Sequence, residues 1–185
     1  TSSPSRTVRG SGHAATEART VPPFTAIDLA GTNAVVVRVG APRAVAVTAD
    51  DNLLAHVTTT VRSGRLVIGD AGSFTTRAPM RVAVSVSSLE AVELSGTGSV
   101  TVRGAPMRRL DVRLSGTGRL DLHDLAARDV TVVLRGTGDV RVHATGRLDA
   151  TLTGTGSIRY SGHPTVDART TGTGSVVAEP DGQAS

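Results

Sequence analysis

Five short stretches decide how this chain folds: Leu94-Ser95-Gly96-Thr97-Gly98, Leu114-Ser115-Gly116-Thr117-Gly118, Leu134-Arg135-Gly136-Thr137-Gly138, Leu152-Thr153-Gly154-Thr155-Gly156 and Thr170-Thr171-Gly172-Thr173-Gly174. The Gly-Thr-Gly copies follow one another at intervals of 20, 20, 18 and 18 residues, a near-constant period that marks repeated structural units. They hold ten of the 21 glycines, so the glycine content reports one repeated motif rather than general chain flexibility.

Around each copy apolar and polar residues alternate, the periodicity of a half-buried strand. In the second repeat Leu110, Val112, Leu114, Leu120 and Leu122 share one parity with Gly116 and Gly118, while Asp111, Arg113, Ser115, Thr117 and Arg119 share the other. The fifth repeat, with Val166, Ala168, Thr170, Val176 and Ala178, is the least apolar and reads as a terminal cap. Glycine inside a strand costs roughly 0.5–1 kcal/mol against alanine, so repeated pairs point to a geometric need such as a bend or a close backbone approach. A circuit of this period at about 3.3 Å per residue measures roughly 60–66 Å, enough to enclose one layer of aliphatic side chains. The expected fold is therefore all-β, a β-solenoid with coils of about 18–20 residues. An antiparallel meander or sandwich is the alternative. Asp149 and Asp167 favour it, since a parallel stack sets these two carboxylates on adjacent rungs.

The first half repeats more loosely. Leu29-Ala30-Gly31-Thr32-Asn33 looks like a worn copy of the motif, with Asn33 accepting the left-handed backbone that glycine would take. Between Gly31 and Gly96 there is room for about three wider coils, with strands expected at residues 45–47, 57–61, 66–68 and 82–86. Residues 50–55 suit a single helical turn. The organisation expected is a flexible leader or linker over 1–20, one domain over 21–178 (irregular over 21–89, five repeats over 90–178) and a tail over 179–185.

Composition excludes several functions. Three aromatics in 185 residues leave no platform for stacked bases or sugars, and the absence of cysteine removes disulfides, thiol catalysis and thiolate metal sites. All 20 basic residues are Arg, the net charge is only +4, and the charges are interleaved, so a nucleic-acid partner is not expected. No run of 18 apolar residues provides a transmembrane segment.

Residues able to carry chemistry are few. Thr97, Thr117, Thr137, Thr155 and Thr173 form an expected surface ladder, with Ser95, Ser115, Arg135, Thr153 and Thr171 beside it; stacked hydroxyl pairs of this kind contribute roughly 0.2–1 kcal/mol each. His123 and His143 share one slot five residues past the motif and are the metal candidates, but a third ligand is missing, so no metal or other cofactor is expected. His163 reads as a turn residue. Thr101, Asp121, Arg141 and Arg159 share another slot and read as a charge-compensating ladder. No nucleophile triad, zinc motif or phosphate loop is present, and no catalytic residue is assigned.

With these elements in order, residues 10–178 resemble the bacterial family described as putative autotransporter adhesin, head GIN domain. The resemblance is carried by Gly10-Ser11-Gly12, by Phe24, Ile27 and Leu29, by Asp51-Asn52-Leu53 ahead of Val61, Gly64, Leu66 and Ile68, by the Leu-Ser-Gly-Thr-Gly copies, and by Tyr160, Gly162 and Pro164. It implies a right-handed β-helix-like fold and a secreted or envelope-anchored protein without established enzymatic activity. This chain lacks the lipid-attachment cysteine often found ahead of such domains, and Arg135 interrupts the Ser/Thr rank. The expected function is a non-enzymatic cell-envelope module, extracytoplasmic and secreted or anchored upstream of Thr1, that binds an envelope or surface component, protein or glycan, with self-association open. Its rivals are a polysaccharide-active enzyme working in a groove through Asp121 or Asp139, and a water-ordering or ice-binding Thr face.

Overall fold

The structure, a computed structural model, describes residues 7–179. Among them are 17 strands, one 3-10 turn at Leu54–His56 and no α-helix, so the fold is all-β. In chain order the strands are β1 (Val8–Arg9), β2 (Ala14–Arg19), β3 (Ala26–Leu29), β4 (Ala34–Val39), β5 (Ala44–Asp50), β6 (Val57–Arg62), β7 (Arg65–Asp70), β8 (Phe74–Thr75) and β9 (Arg81–Val86). The repeats then supply β10 (Ala91–Leu94), β11 (Ser99–Gly104), β12 (Met107–Leu114), β13 (Arg119–Leu134), β14 (Asp139–Leu152), β15 (Ser157–Ser161), β16 (Thr165–Thr170) and β17 (Ser175–Ala178). All but β1 and β8 belong to one 15-stranded sheet, which curls nearly closed around the core like a barrel.

The repeats pair in parallel, each with the next. Ala91 lies opposite Asp111, Leu110 opposite Val130, Val130 opposite Leu148 and Leu148 opposite Val166, which reproduces the sequence intervals as register. A second ladder runs Ser99, Arg119, Asp139, Ser157, Ser175. The long strands β13 and β14 take part in both ladders. Because register matches period, every aliphatic side chain of one parity meets its equivalent in the next layer: Leu110, Val112, Leu114, Leu120 and Leu122 are fully buried, as are their counterparts up to Ile158. Each such side chain contributes about 1.5–3 kcal/mol, so a layer gains its core only from its neighbours.

Asp149 does face Asp167, as a parallel stack requires, but Arg147 lies between them, 3.1 Å from Asp149 and 3.9 Å from Asp167. The like-charge contact that favoured a meander is thus neutralised by a third side chain.

The first half departs from three wider coils. It holds two layers, β3 with β4 and β7 with β9, and the earlier segment is inserted above the later one: β3 pairs with β7 below and β10 above, and β4 with β9 below and β11 above. Beneath them the chain turns antiparallel. β5 runs against β9, β2 against β5, and β6 against β7. One tight reversal contributes to this: β6 and β7 are joined through Ser63 and Gly64, both at positive φ, and a hairpin cannot continue a parallel coil. Leu54–His56 is the short turn expected near residues 50–55.

The stretch 1–20 was expected to be a flexible leader, yet β1 and β2 lie inside it, and β2 pairs with β5 over its full length. Its alternation is weak because β2 is an edge strand with little buried area. Residues 1–6 and 180–185 of the expected leader and tail lie outside the described residues. Glu179, the first residue of that tail, is held by the backbone of Tyr160.

Candidate functional site: the threonine column and its flanks

The Gly-Thr-Gly copies stack at one corner of the sheet. A Cβ on Gly116, Gly136 or Gly154 would lie 2.0 Å from the carbonyl oxygen of the preceding copy's first glycine, and on Gly118, Gly138 or Gly156 between 1.9 and 2.1 Å from that of its second. On Gly118 and Gly138 it would also reach 2.7 and 2.6 Å from Leu94 and Leu114. No side chain fits, so glycine is demanded by the approach of one layer to the next rather than by backbone conformation. Of the ten, only Gly172, at 121°, has a positive φ.

The worn copy occupies the lowest position of this column. Thr97 donates its N–H to Gly31 O at 3.2 Å, and Ser99 to Asn33 O at 3.1 Å. Asn33 does not use the left-handed backbone; Ser63 alone among non-glycine described residues does. A side chain is tolerated at Asn33 because no equivalent corner lies beneath it. The Asp70 carboxylate fills that space instead, accepting from Thr32 N at 3.0 Å, Thr32 Oγ1 at 3.2 Å and Asn33 Nδ2 at 2.8 Å. Sequence periodicity finds Thr32 through the worn motif, but no local signal points to Asp70, 37 residues from Asn33.

Thr32, Thr97, Thr117, Thr137, Thr155 and Thr173 consequently form a single exposed column. Ser95, Ser115, Arg135, Thr153 and Thr171 are exposed beside it, with Ser95 donating to Asp28 at 3.1 Å. Along the other flank lies an open groove of about 440 Å³, floored by Gly98, Gly118 and Gly138 and walled by Ser99, Arg119 and Asp139.

Next to the groove the slot Thr101, Asp121, Arg141, Arg159 is in register as read from sequence. Arg141 donates to both oxygens of Glu179, at 2.9 to 3.3 Å, and stands 3.8 Å from Asp121; Arg159 is 3.9 Å from Glu179. The hydrogen bond to Glu179, aided by the negative charges around it, raises the Arg141 pKa further above its usual value. Asp139 accepts from Ser157 Oγ at 2.7 Å.

His123 and His143 are not brought together. A bulge of β13 shifts the register, so His143 faces Ala126, and its Nδ1 lies 2.7 Å from Ser161 Oγ, while His123 contacts Asp124 at 3.1 Å. The slot assignment failed because the period changes from 20 to 18 at this bulge. Among the described residues no three His, Asp or Glu side chains converge as a metal site.

A second polar cluster joins Gly10-Ser11-Gly12 to Asp50-Asp51-Asn52. Asn52 accepts from Ser11 N and donates to Arg9 O, Ser11 Oγ donates to Asp51, and buried Asp50 accepts the N–H groups of Gly12, Arg77 and Ala78. Burial alone pushes the Asp50 carboxyl up, but these backbone N–H groups outweigh it and hold the pKa below its ordinary value. This latch is structural: its polar atoms are consumed within the fold.

Among the described residues no helix is long and apolar enough to cross a membrane. Residues 23–109 and 105–164 match the family model described as putative auto-transporter adhesin, head GIN domain. No curated protein matches the chain. Among solved structures, a putative adhesin from Bacteroides fragilis is 19% identical, with a TM-score of 0.63 over 93% of this chain and 100% of that one. A putative lipid binding protein from Parabacteroides distasonis (17% identity, TM-score 0.45, 95% and 100% coverage) and a putative adhesin from Parabacteroides merdae (19%, 0.45, 94% and 99%) are also similar.

Proposed function

Because the chain belongs to the putative auto-transporter adhesin, head GIN domain family, we propose that it is a non-enzymatic surface-interaction module, secreted or held at the cell envelope and built as a right-handed β-helix-like solenoid. The repeats over 90–178, the irregular first half over 21–89 and the strands β1 and β2 act in this reading as one unit. The observation that carries it is the contrast between the threonine column and the charged slot beyond its groove. In the charged slot Asp121, Arg141, Arg159 and Glu179 pair among themselves, whereas above Thr32, whose hydroxyl is held by Asp70, the column from Thr97 to Thr173 presents a rank of exposed hydroxyls beside the groove. Such a row suits an extended surface polymer, protein or glycan, held by many weak contacts whose repetition supplies the affinity.

Immobilised chain, exposed to envelope extracts and to a panel of surface polysaccharides, should retain a component. Thr117→Lys combined with Thr137→Lys should lower that retention at least tenfold without altering circular dichroism. Retention unaffected by the two substitutions would move the contact surface off the column. Turnover of a glycan, abolished by Asp121→Asn or Asp139→Asn, would replace the reading with an enzymatic one. The unbroken column also favours a water-ordering role, which predicts thermal hysteresis that disappears in Thr137→Lys; a chain without hysteresis dismisses it.

A further inference from the structure

The two ends of the stack are finished differently. At the base, antiparallel strands β6, β5 and β2 continue the ladders, whereas at the far end β16 pairs only with β14 and β17 only with β15 among the described residues. The inward parity of the last layer surfaces there: Val166, Ala168 and Thr170 are all exposed, Val166 at 37%. Thr171 sends its N–H down to Leu152 O at 2.8 Å. In a parallel ladder the N–H and C=O of one residue point the same way and alternate along the strand. Asp167 and Arg169 therefore face β14, and Val166, Ala168 and Thr170 turn their backbone groups outward.

We propose that this edge pairs with the same edge of a second copy, β16 against β16, antiparallel about a two-fold axis at Ala168. In that register Ala168 faces its own equivalent and Val166 faces Thr170 of the second copy, so the residues with outward backbone groups meet as hydrogen-bonded pairs. Asp167 and Arg169 meet their opposites across the closer, non-hydrogen-bonded positions, twice over. Moving the axis to Asp167 or to Arg169 sets like charges face to face, which singles out the register at Ala168. Both charges are available for it: Arg169 makes no ion pair with the described residues, and Asp167 reaches only Arg147, at 3.9 Å. The pairing is isologous and closes at two copies, so it does not propagate into fibres. A contact of one or two strand edges is small, so the dimer should be weak and its population should depend on concentration.

Sedimentation velocity on the full chain, from about 1 μM to about 1 mM, should show a monomer–dimer equilibrium. Arg169→Asp should weaken it at least tenfold, and the swap Asp167→Arg with Arg169→Asp should return it to within about threefold of the parent, circular dichroism being unchanged in both. Backbone amide exchange at Ala168 should slow as concentration rises. A chain that stays monomeric to the highest concentration, a dimer indifferent to Arg169→Asp, a swap that does not restore association, or protection of Ala168 independent of concentration would each overturn the proposal. None of these outcomes bears on the threonine column.

Discussion

At the Gly136 corner a carbonyl of the layer below stands where a side chain would be, whereas at the Gly31 corner, the lowest in the column, a carboxylate stands there. A Cβ on Gly136 would lie 2.0 Å from backbone, and a Cβ on Gly31 would lie 2.5 Å from the side-chain oxygen of Asp70. The Gly-Thr corner is thus held in two ways. In the repeats successive layers supply one another's hydrogen bonds, and at the base a single aspartate replaces the missing layer. Repetition needs small residues everywhere, and termination needs one specific polar residue.

The largest effect expected from breaking this comparison is at Gly136. Gly136→Ala forces two backbones apart and should cost about 3 kcal/mol or more, read from the urea midpoint of unfolding. Gly31→Ala should cost less, since only the Asp70 side chain must yield. Asp70→Ala should cost about 1–3 kcal/mol by leaving Thr32 N–H and Asn33 Nδ2 without their acceptor. In a double-mutant cycle Gly31→Ala and Asp70→Ala should combine to less than their sum; strict additivity would show that the carboxylate does not fill the corner.

The pH dependence separates the two regions next. Asp50 has a folded-state pKa below the ordinary carboxylate value, so its contribution to stability is present above that ordinary value and is lost as pH falls through the depressed one. Denaturation followed from pH 7 downward should lose an acid-dependent step in Asp50→Asn, while the repeats should keep their circular dichroism longest. The smallest effect is at Asp28. Burial, with Glu93 alongside, raises its pKa against the opposing Ser95 hydrogen bond and the Arg65 charge, so its ionised form weighs slightly against folding at neutral pH. Asp28→Asn should stabilise slightly at pH 7 and lose that advantage once the pH falls below the ordinary carboxylate pKa, read from urea midpoints at the two pH values.

The repeats were legible because their signal is local: alternation of neighbouring residues specifies each strand, and the interval between tripeptides equals the register of pairing. Thr97 to Thr173 could be placed in a column on that basis. His123 and His143 were misplaced by the same rule, since a bulge in β13 absorbs the two residues by which the period shortens. The leader was misread because β2 buries little and so carries little alternation, even though Gly10-Ser11-Gly12 and Asp51-Asn52 had stood out as family features.

What the amino-acid sequence by itself determined is the all-β class, the parity of every side chain in the repeats, the glycine corners and the family. Each rests on periodicity, which neighbouring residues carry through their own backbone geometry. Only the tertiary structure decided that residues 26–39 slide between 65–86 and 91–104, that Asp70 and Asp50 close the base, and that β16 ends the stack with an open edge. Those outcomes depend on contacts between segments tens of residues apart, where the choice of partner follows from which surfaces remain unburied after the local strands have formed.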